Sequence, residues 1–449
     1  MSLPPPYYND DPKSFAYPTI HKRWPTIIEG AIDDVKAAPT TKYSSESQAK
    51  ILQQLQDLLK AFKNDEVVRE FTQDEILLNP DLIHYNKALI DLHMVKKVTW
   101  QTGPWLYLEC YLYQYINNFF LESEWDDFDI FENLKTKTFK QSESGVLELC
   151  KRYESLANQI KDLGESDDTL KLLFHEFCDI SLWGNATDLS LLAGNVTLED
   201  IKSVQGAEVR KKNEEKILIN DLDQAWEWYV NKRQGSRVDI VLDNSGFELF
   251  ADLILVLFLL DSKLSKEVHL HCKEIPWFVS DTMPKDFQDL LNQLKDSEFY
   301  PNIHQEHPSA IELVYQEIKN YYESGKIIID HDPFWTLHYN YWDIPKFDQL
   351  YSKLLKSDLI IFKGDLNYRK LTGDLQWDKT TPFKTAIQQL DGSKLPILSL
   401  RTCKADVVVG LPAGINEKLI EEYKKMGNEI GEFWSSSGKW AVVSFNNGE

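Results

Sequence analysis

The stretch Val238–Leu260, VDIVLDNSGFELFADLILVLFLL, constrains this chain more than any other. Val238, Ile240, Val241 and Leu242 make a β-rich apolar run long enough for a buried strand. Asp243 and Asn244 stop the run, Ser245 and Gly246 supply a turn, and helical patterning begins near Phe247. In open α/β sheets, ligands bind just beyond the carboxyl ends of strands. The first turn of the following helix aims free N–H groups at the same spot, which suits an anion. Asp243 and Asn244 therefore stand where a metal and a phosphate could meet. The plain alternative is that one of them only caps the helix. Leu253–Leu260 is uninterrupted apolar sequence, far too short to span a bilayer, and reads as a helix buried against a sheet.

The two sides of this stretch differ. Before it, helical periodicity dominates. Pro25 opens a helix with Ile28, Ile32 and Val35 on one face, and Ser44 or Ser45 caps one carrying Ile51, Leu55, Leu58 and Phe62. Pro104 opens a third, on which Glu109 sits among aromatic residues and reads as a rim residue. Residues 145–200 look helical again and end in LWGNATDLSLLAGN, with Asn185 and Asp188 in a glycine-containing turn. After about residue 205, short apolar runs alternate with helical patterns: 217–219, 238–242, 268–271, 327–329, 359–362 and 397–400, with 407–409 and 441–445 closing the set. That alternation predicts βαβ units. The expected architecture is α/β: a mostly parallel sheet flanked by helices, preceded by a largely helical N-terminal region. The expected division is a helical region over 1–205 and an α/β domain over 206–449 that carries the site.

Composition narrows the partners. With 49 Lys and Arg against 71 Asp and Glu, the formal net charge is -22. Such a surface repels nucleic acid and anionic membrane, so neither is expected as a partner. A small anionic substrate must find a local cluster of positive charge, or a metal. Met1–Ser14 has no basic and apolar leader pattern, and the five scattered cysteines include no CxxC pair. Both point to a reducing compartment: the cytoplasm, with the nucleus as a further location.

Several predicted strands end in polar clusters: Asp243-Asn244, Asp281, Asp330-His331-Asp332, Asp365 with Asn367 and Arg369, and Arg401 with Lys404. Right-handed crossovers put the carboxyl ends of parallel strands on one edge, so distant clusters can converge. Two Asp and an Asn are hard oxygen donors that suit magnesium or manganese better than zinc. Arg and Lys supply charge for a phosphate. A metal beside such a clamp is the usual arrangement for phosphoryl transfer or phosphate-ester hydrolysis. Each cluster alone is equally a helix cap or a solvated loop; it is their recurrence at strand ends that indicates a site. ILINDLD, residues 217–223, has the look of a DxD phosphatase nucleophile, but helix capping by Asp221 accounts for it better. P-loop, GxSxG and HExxH motifs are absent, and no glycine-rich nucleotide loop follows a strand.

VDIVLDNSGFEL, IPWFVSD, LIIFKGDLNYRKLTGD and Arg401-Thr402-Cys403-Lys404, together with SFAYPTI near Phe15 and SLWGNATDLSL near Asn185, resemble the damage-control phosphatases, in particular the eukaryotic RTxK subfamily. Members of that subfamily are described as sugar-phosphate phosphatases and also as acidic-residue methyltransferases. The resemblance implies a divalent metal (manganese, magnesium, cobalt or nickel) on Asp243, Asn244 and Asp281, the three residues also expected to be catalytic. It implies substrate contacts from Asp243, Asn244, Asp365, Leu366, Asn367, Tyr368, Arg369 and Lys404, the last on the phosphate. The implied substrates are phosphorylated sugars such as fructose 1-phosphate and fructose 6-phosphate. The nucleophile is left open between water and Asp243 itself. Two other functions compete: an S-adenosylmethionine-dependent protein glutamate methyltransferase, against which the missing nucleotide loop counts, and a non-enzymatic scaffold.

Overall fold

The computed structural model describes residues 2–39, 41–121, 124–163, 168–184 and 214–449. Seven strands form one sheet in the order β1-β7-β6-β5-β2-β3-β4. They are β1 Ile217–Asn220, β2 Arg237–Val241, β3 Glu267–Cys272, β4 Ile327–His331, β5 Leu359–Lys363, β6 Ile397–Thr402 and β7 Ala441–Asn446. Strands β2 to β6 pair in parallel, whereas β7 runs antiparallel to β6 and β1 runs parallel to β7. The mostly parallel α/β sheet expected from the sequence is present, and β7 adds a reversal at one side.

Alternation along the central strands divides the core in two. Val238, Ile240 and Leu242 of the β2 segment, with Leu359 and Ile361 of β5, face one hydrophobic cluster, while Val241, Ile360 and Phe362 face the other. Period-two patterning with both faces apolar is what a sheet covered on both sides requires. Helices Trp24–Ala37, Ser45–Lys63, Leu82–Val95 and Trp105–Asn118 supply the second cluster. Helices Glu143–Asp162 and Asp168–Trp183 instead join the first, packing with Phe247–Asp261. The helical N-terminal region thus covers both faces of the sheet. The boundary expected near residue 205, and the turn at Asn185 and Asp188, lie outside the described residues. Among the described residues no helix is long and apolar enough to cross a membrane, and all five cysteines are buried and free.

Two sequence expectations fail for identifiable reasons. Val407–Val409 is not a strand: the Arg401 guanidinium takes the Val407 and Ala405 carbonyls at 2.5 and 3.2 Å, and the Val409 N–H donates to Tyr368 Oη at 3.1 Å. Those backbone groups are committed to side chains and cannot join a ladder. Glu109 is not at a rim. It is fully buried, 3.5 Å from Arg369 Nη1 and 4.0 Å from Arg23 Nη1.

Below the site, Asp239 of β2 is fully buried and accepts from Arg237 Nε at 2.7 Å, with His271 Nε2 also at 2.7 Å. Burial pushes the carboxyl up, but Arg237 and His271 outweigh it and hold Asp239 down at about 2. A carboxylate whose folded pKa is depressed stabilises the fold above its unfolded value, and that contribution is lost as pH falls through the folded one. The expected result is that unfolding free energy drops by about 2 kcal/mol between pH 4 and pH 2 from this group alone. Urea unfolding of wild type and Asp239→Asn across that range measures it. An equal acid slope in both proteins would contradict the assignment.

Candidate active site

The chain leaves β2 toward β3 on one side and leaves β5 toward β6 on the other, so β2 and β5 are adjacent strands whose connections diverge. This is the topological switch point, where open α/β sheets form a crevice at the carboxyl ends. Asp243 follows β2, and Gly364 begins the helix Gly364–Thr372 directly after β5. The two loops touch: a Cβ on Gly364 would overlap the Asp243 carboxylate and lie 2.8 Å from its Cβ. Neither Asp243 nor Asn244 caps the helix Phe247–Asp261, whose N-cap is Gly246 at φ 69°. The capping alternative is thereby removed.

Asp281 arrives from the loop after β3. The backbone of Asn244 forms an antiparallel bridge with Asp281, and Thr282 N–H donates to the Asp243 carbonyl at 2.8 Å. Asn244 Nδ2 donates to Asp243 Oδ2 at 3.2 Å and to Glu248 Oε2 at 2.7 Å, while its Oδ1 accepts from Ser280 Oγ at 2.6 Å. Asp243, Asn244 and Asp281 therefore come together as the sequence implied. Asp281 Oδ2 is buried without a hydrogen bond, and Lys273 Nζ stands 3.3 Å away. Burial, then the nearby Glu248 and Asp281 charges, push the Asp243 carboxyl far up, against Lys404 and Lys273. Burial pushes Asp281 to about 6, with Lys273 opposing. Two buried carboxylates and an amide, electrostatically strained against one another, are a hard-oxygen set that a divalent cation would relieve. The residues present fit such an ion.

The other implied residues divide. Asp365 accepts from Arg401 Nε at 2.8 Å and from the Lys404 N–H at 2.9 Å. It anchors the segment that carries Lys404, and Arg401, fully buried, is the strut between them. Leu366, Asn367, Tyr368 and Arg369 turn their side chains into the core. Asn367 Nδ2 donates to the Val241, Leu242 and Lys363 carbonyls at 3.1, 3.2 and 2.7 Å and so ties β2 to β5. Arg369 pairs with Asp374 at 3.0 Å and stacks over Trp105. What this run can offer a ligand is the first-turn backbone of its helix. The Asp330-His331-Asp332 cluster belongs to edge strand β4, where Lys353 holds Asp330 at 2.6 Å, and does not reach the fork between the loops after β2 and β5 where Asp243, Asn244 and Asp281 meet. Asp221 is at the opposite edge, because β1 runs against β2, and it accepts from Phe445 N–H at 3.0 Å. It does not cap its helix by side chain.

A cleft of about 1180 Å³ opens beside the fork. Lys404 and Arg23 line it together with Phe15, Trp183 and Trp440. The carboxylate pair is not part of its wall, since Asp243 is 6% and Asp281 1% exposed. Lys404 connects the two, lining the cleft while drawing Asp243 down, and Arg23 lines it 4.0 Å from the buried Glu109. Arg23 was invisible as a site residue in the sequence. It ends a π-helical turn, Thr19–Arg23, a geometry common at functional positions. Its segment is pinned by Asp406, two residues past Lys404, which accepts from Ser14 Oγ at 2.8 Å.

A second acidic group also escaped the sequence reading. Asp129, Glu132 and Asp286 bring ligand atoms within 4.8 Å of one another and by that measure could hold a cation. Lys135 already bonds Asp129 and Asp286 at 3.0 and 2.9 Å, and Lys285 bonds Glu132, so two ammonium groups occupy that role.

The profile of the damage-control phosphatase ARMT1-like domain matches residues 19–419. The chain belongs to this family. Relatives named damage-control phosphatase ARMT1 match almost end to end: the Bos taurus protein is 35% identical over 455 residues, 97% of each chain, and the Homo sapiens protein 34% over 462 residues, 99% of each. A solved DUF89 family protein from Pyrococcus horikoshii covers 84% of this chain and 92% of its own at 17% identity and a TM-score of 0.36, too distant to bear on the site. The family resemblance drawn from the motifs is confirmed, and the family's description carries phosphatase chemistry.

Proposed function

We propose that this damage-control phosphatase family member hydrolyses phosphate monoesters of sugars, fructose 1-phosphate and fructose 6-phosphate among them, with a divalent ion on Asp243, Asn244 and Asp281. One observation carries the reading: two buried carboxylates meet at the switch point, and a lysine from the next strand end lines the cleft and draws on one of them, Asp243. When bound, the ion supplies a Lewis acid that offsets the charge of the phosphate and of the leaving oxygen. The chain's own residues do the rest. Lys404 offers a compact charge to non-bridging phosphate oxygens. Asp365 and Arg401 fix the backbone from which Lys404 projects. Gly364 allows the first turn of its helix to close on Asp243, aiming N–H groups where an anion would sit. A screen of purified protein against hexose phosphates with manganese, magnesium, cobalt and nickel tests the proposal. Absence of turnover with every pairing would overturn it.

Chelation should eliminate turnover and lower the melting temperature only slightly, because two large apolar clusters hold the sheet without the ion. Global unfolding by chelator, followed by circular dichroism, would make the ion structural instead. Lys404→Ala should lower kcat/KM by about 100-fold, the scale of one charged hydrogen bond. Inhibition by inorganic phosphate should weaken in parallel. Unchanged phosphate inhibition would place the clamp elsewhere.

A further inference from the structure

Among the described residues, the walls of the cleft reverse the charge of the chain. Acidic residues outnumber basic ones 71 to 49 overall, yet the described lining carries Lys22, Arg23, Lys216, Lys404 and Lys439 against Glu215 and Glu422. These cations fall into two sets. Arg23 and Lys404 form the inner set: Arg23 stands 4.0 Å from the buried Glu109, and Lys404 is attracted to Asp243. Lys22, Lys216 and Lys439 form the outer set. Lys22 and Lys439 are exposed and Lys216 half-buried, and among the described residues none of these three ammonium groups has an ion-pair partner. They come from two sides. Lys22 lies on the π-helical N-terminal turn, whereas Lys216 and Lys439 lie beside the Lys404 segment, where Ala441 N–H donates to the Lys216 carbonyl at 2.9 Å and Gly438 N–H to the Cys403 carbonyl at 2.8 Å.

One phosphate does not account for this layout. The inner pair and a metal already balance a phosphate dianion. The volume, about 1180 Å³, exceeds the ~300–1,000 Å³ that usually encloses a drug-sized ligand, and a hexose monophosphate is smaller than that. Three like charges held around one opening repel one another, and an anion placed among them removes that cost.

We propose that the outer lysines, Lys22, Lys216 and Lys439, form a second anion subsite, and that the cleft selects phosphate monoesters carrying another anionic group at their far end, as in sugar bisphosphates. This rests on the phosphatase reading of the fork, with the ester bond cleaved at the inner end. The second group is bound and not cleaved, so it contributes mainly to KM. Its attraction is partly screened and weakens with salt.

The test compares fructose 1,6-bisphosphate with fructose 1-phosphate and fructose 6-phosphate at low and at physiological ionic strength. Titration calorimetry with the same esters runs alongside. Wild type should show a KM and Kd at least tenfold lower for the bisphosphate at low salt, with the preference shrinking as salt rises. In the triple variant Lys22→Ala/Lys216→Ala/Lys439→Ala, the ratio of bisphosphate to monophosphate KM should fall to within threefold of unity. The three single variants, each removing one accessible ammonium, should give intermediate ratios if the triple variant is poorly folded. Wild type without preference, or a triple variant that keeps it, overturns the subsite. Turnover of none of the three esters would sink the phosphatase reading instead. Calorimetry would still decide the subsite, because the Kd ratio in wild type and variants does not depend on cleavage.

Discussion

Asp243→Asn should abolish turnover of sugar phosphates and yet give a protein that melts higher than wild type in metal-free buffer. The substitution is nearly isosteric and occupies a position only 6% exposed, so packing is kept. What it removes is a buried acid whose ionisation is opposed by burial and by the neighbouring Glu248 and Asp281. A group whose folded pKa is raised costs stability as pH climbs above its unfolded value. The gain in melting temperature should therefore grow as pH rises above the unfolded carboxyl value of about 4, on the order of 2 °C per kcal/mol for a chain of this size. Loss of activity should reach about 1,000-fold, or ~4 kcal/mol, the scale of removing a preorganised charged group from a catalytic centre. Calorimetric melts with and without manganese, beside steady-state rates, read both effects. A variant that melts lower at every pH, or that turns over near the wild-type rate with metal saturating, contradicts the assignment. Stability and activity moving in opposite directions is the signature expected where a fold holds like charges together for a ligand.

The residues that form this fork were legible in the sequence because each reports its own strand end. Asp243, Asn244, Asp281, Asp365 and Lys404 each stop an apolar run or closely follow one, and parallel pairing then brings such positions to one edge. That inference needs only local patterning and a rule of handedness. The strand order is what sequence patterning does not encode. Nothing in the order of the runs says that β5 returns to lie against β2, and so nothing said that the Asp243 and Gly364 loops would be in contact. The direction of β7 was hidden for the same reason: Ala441–Asn446 reads equally well either way, and its antiparallel pairing with β6 is set by the connection before it.

Side-chain direction was the second blind spot. In the run from Asp365 to Arg369 every residue can bind a sugar phosphate through side chain or backbone, but a helix sends successive side chains to different sides. Here Asp365 faces the Lys404 segment, while Asn367 and Arg369 are consumed by the core, the latter in an ion pair with Asp374. Glu109 illustrates the converse. Its carboxylate looked incompatible with burial, and becomes compatible through arginines 86 positions before it and 260 after it, which no window of sequence contains. Arg23 entered the cleft by the same route, carried there by a segment that Asp406 holds across most of the chain.

Gly364→Ala should damage both stability and activity heavily. Gly364 has φ 79°, a left-handed conformation that costs an L-residue roughly 1 kcal/mol before any contact is considered. The added Cβ then meets the Asp243 carboxylate directly. That carboxylate cannot step aside freely, since the Asp243 carbonyl is held by Thr282 N–H at 2.8 Å and Asn244 Nδ2 holds its Oδ2. Relief must come from separating the loops after β2 and β5, and Asn367 opposes that with its three bonds across the Val241, Leu242 and Lys363 carbonyls. Overpacking of this kind costs typically ~1–3 kcal/mol beyond the backbone term. The expected loss of unfolding free energy is about 3 kcal/mol, with turnover below detection, because the displaced group is the one the chemistry needs. Denaturant unfolding and metal titration of Gly364→Ala, set against Gly325→Ala as a control in a turn with a similar φ of 71° and open space around it, separate the two terms. The control should lose only the backbone part and keep full activity. If Gly364→Ala behaves like Gly325→Ala, the close approach of the two loops is not a feature of the working enzyme, and Asp243 must meet its substrate from a wider site than the one described.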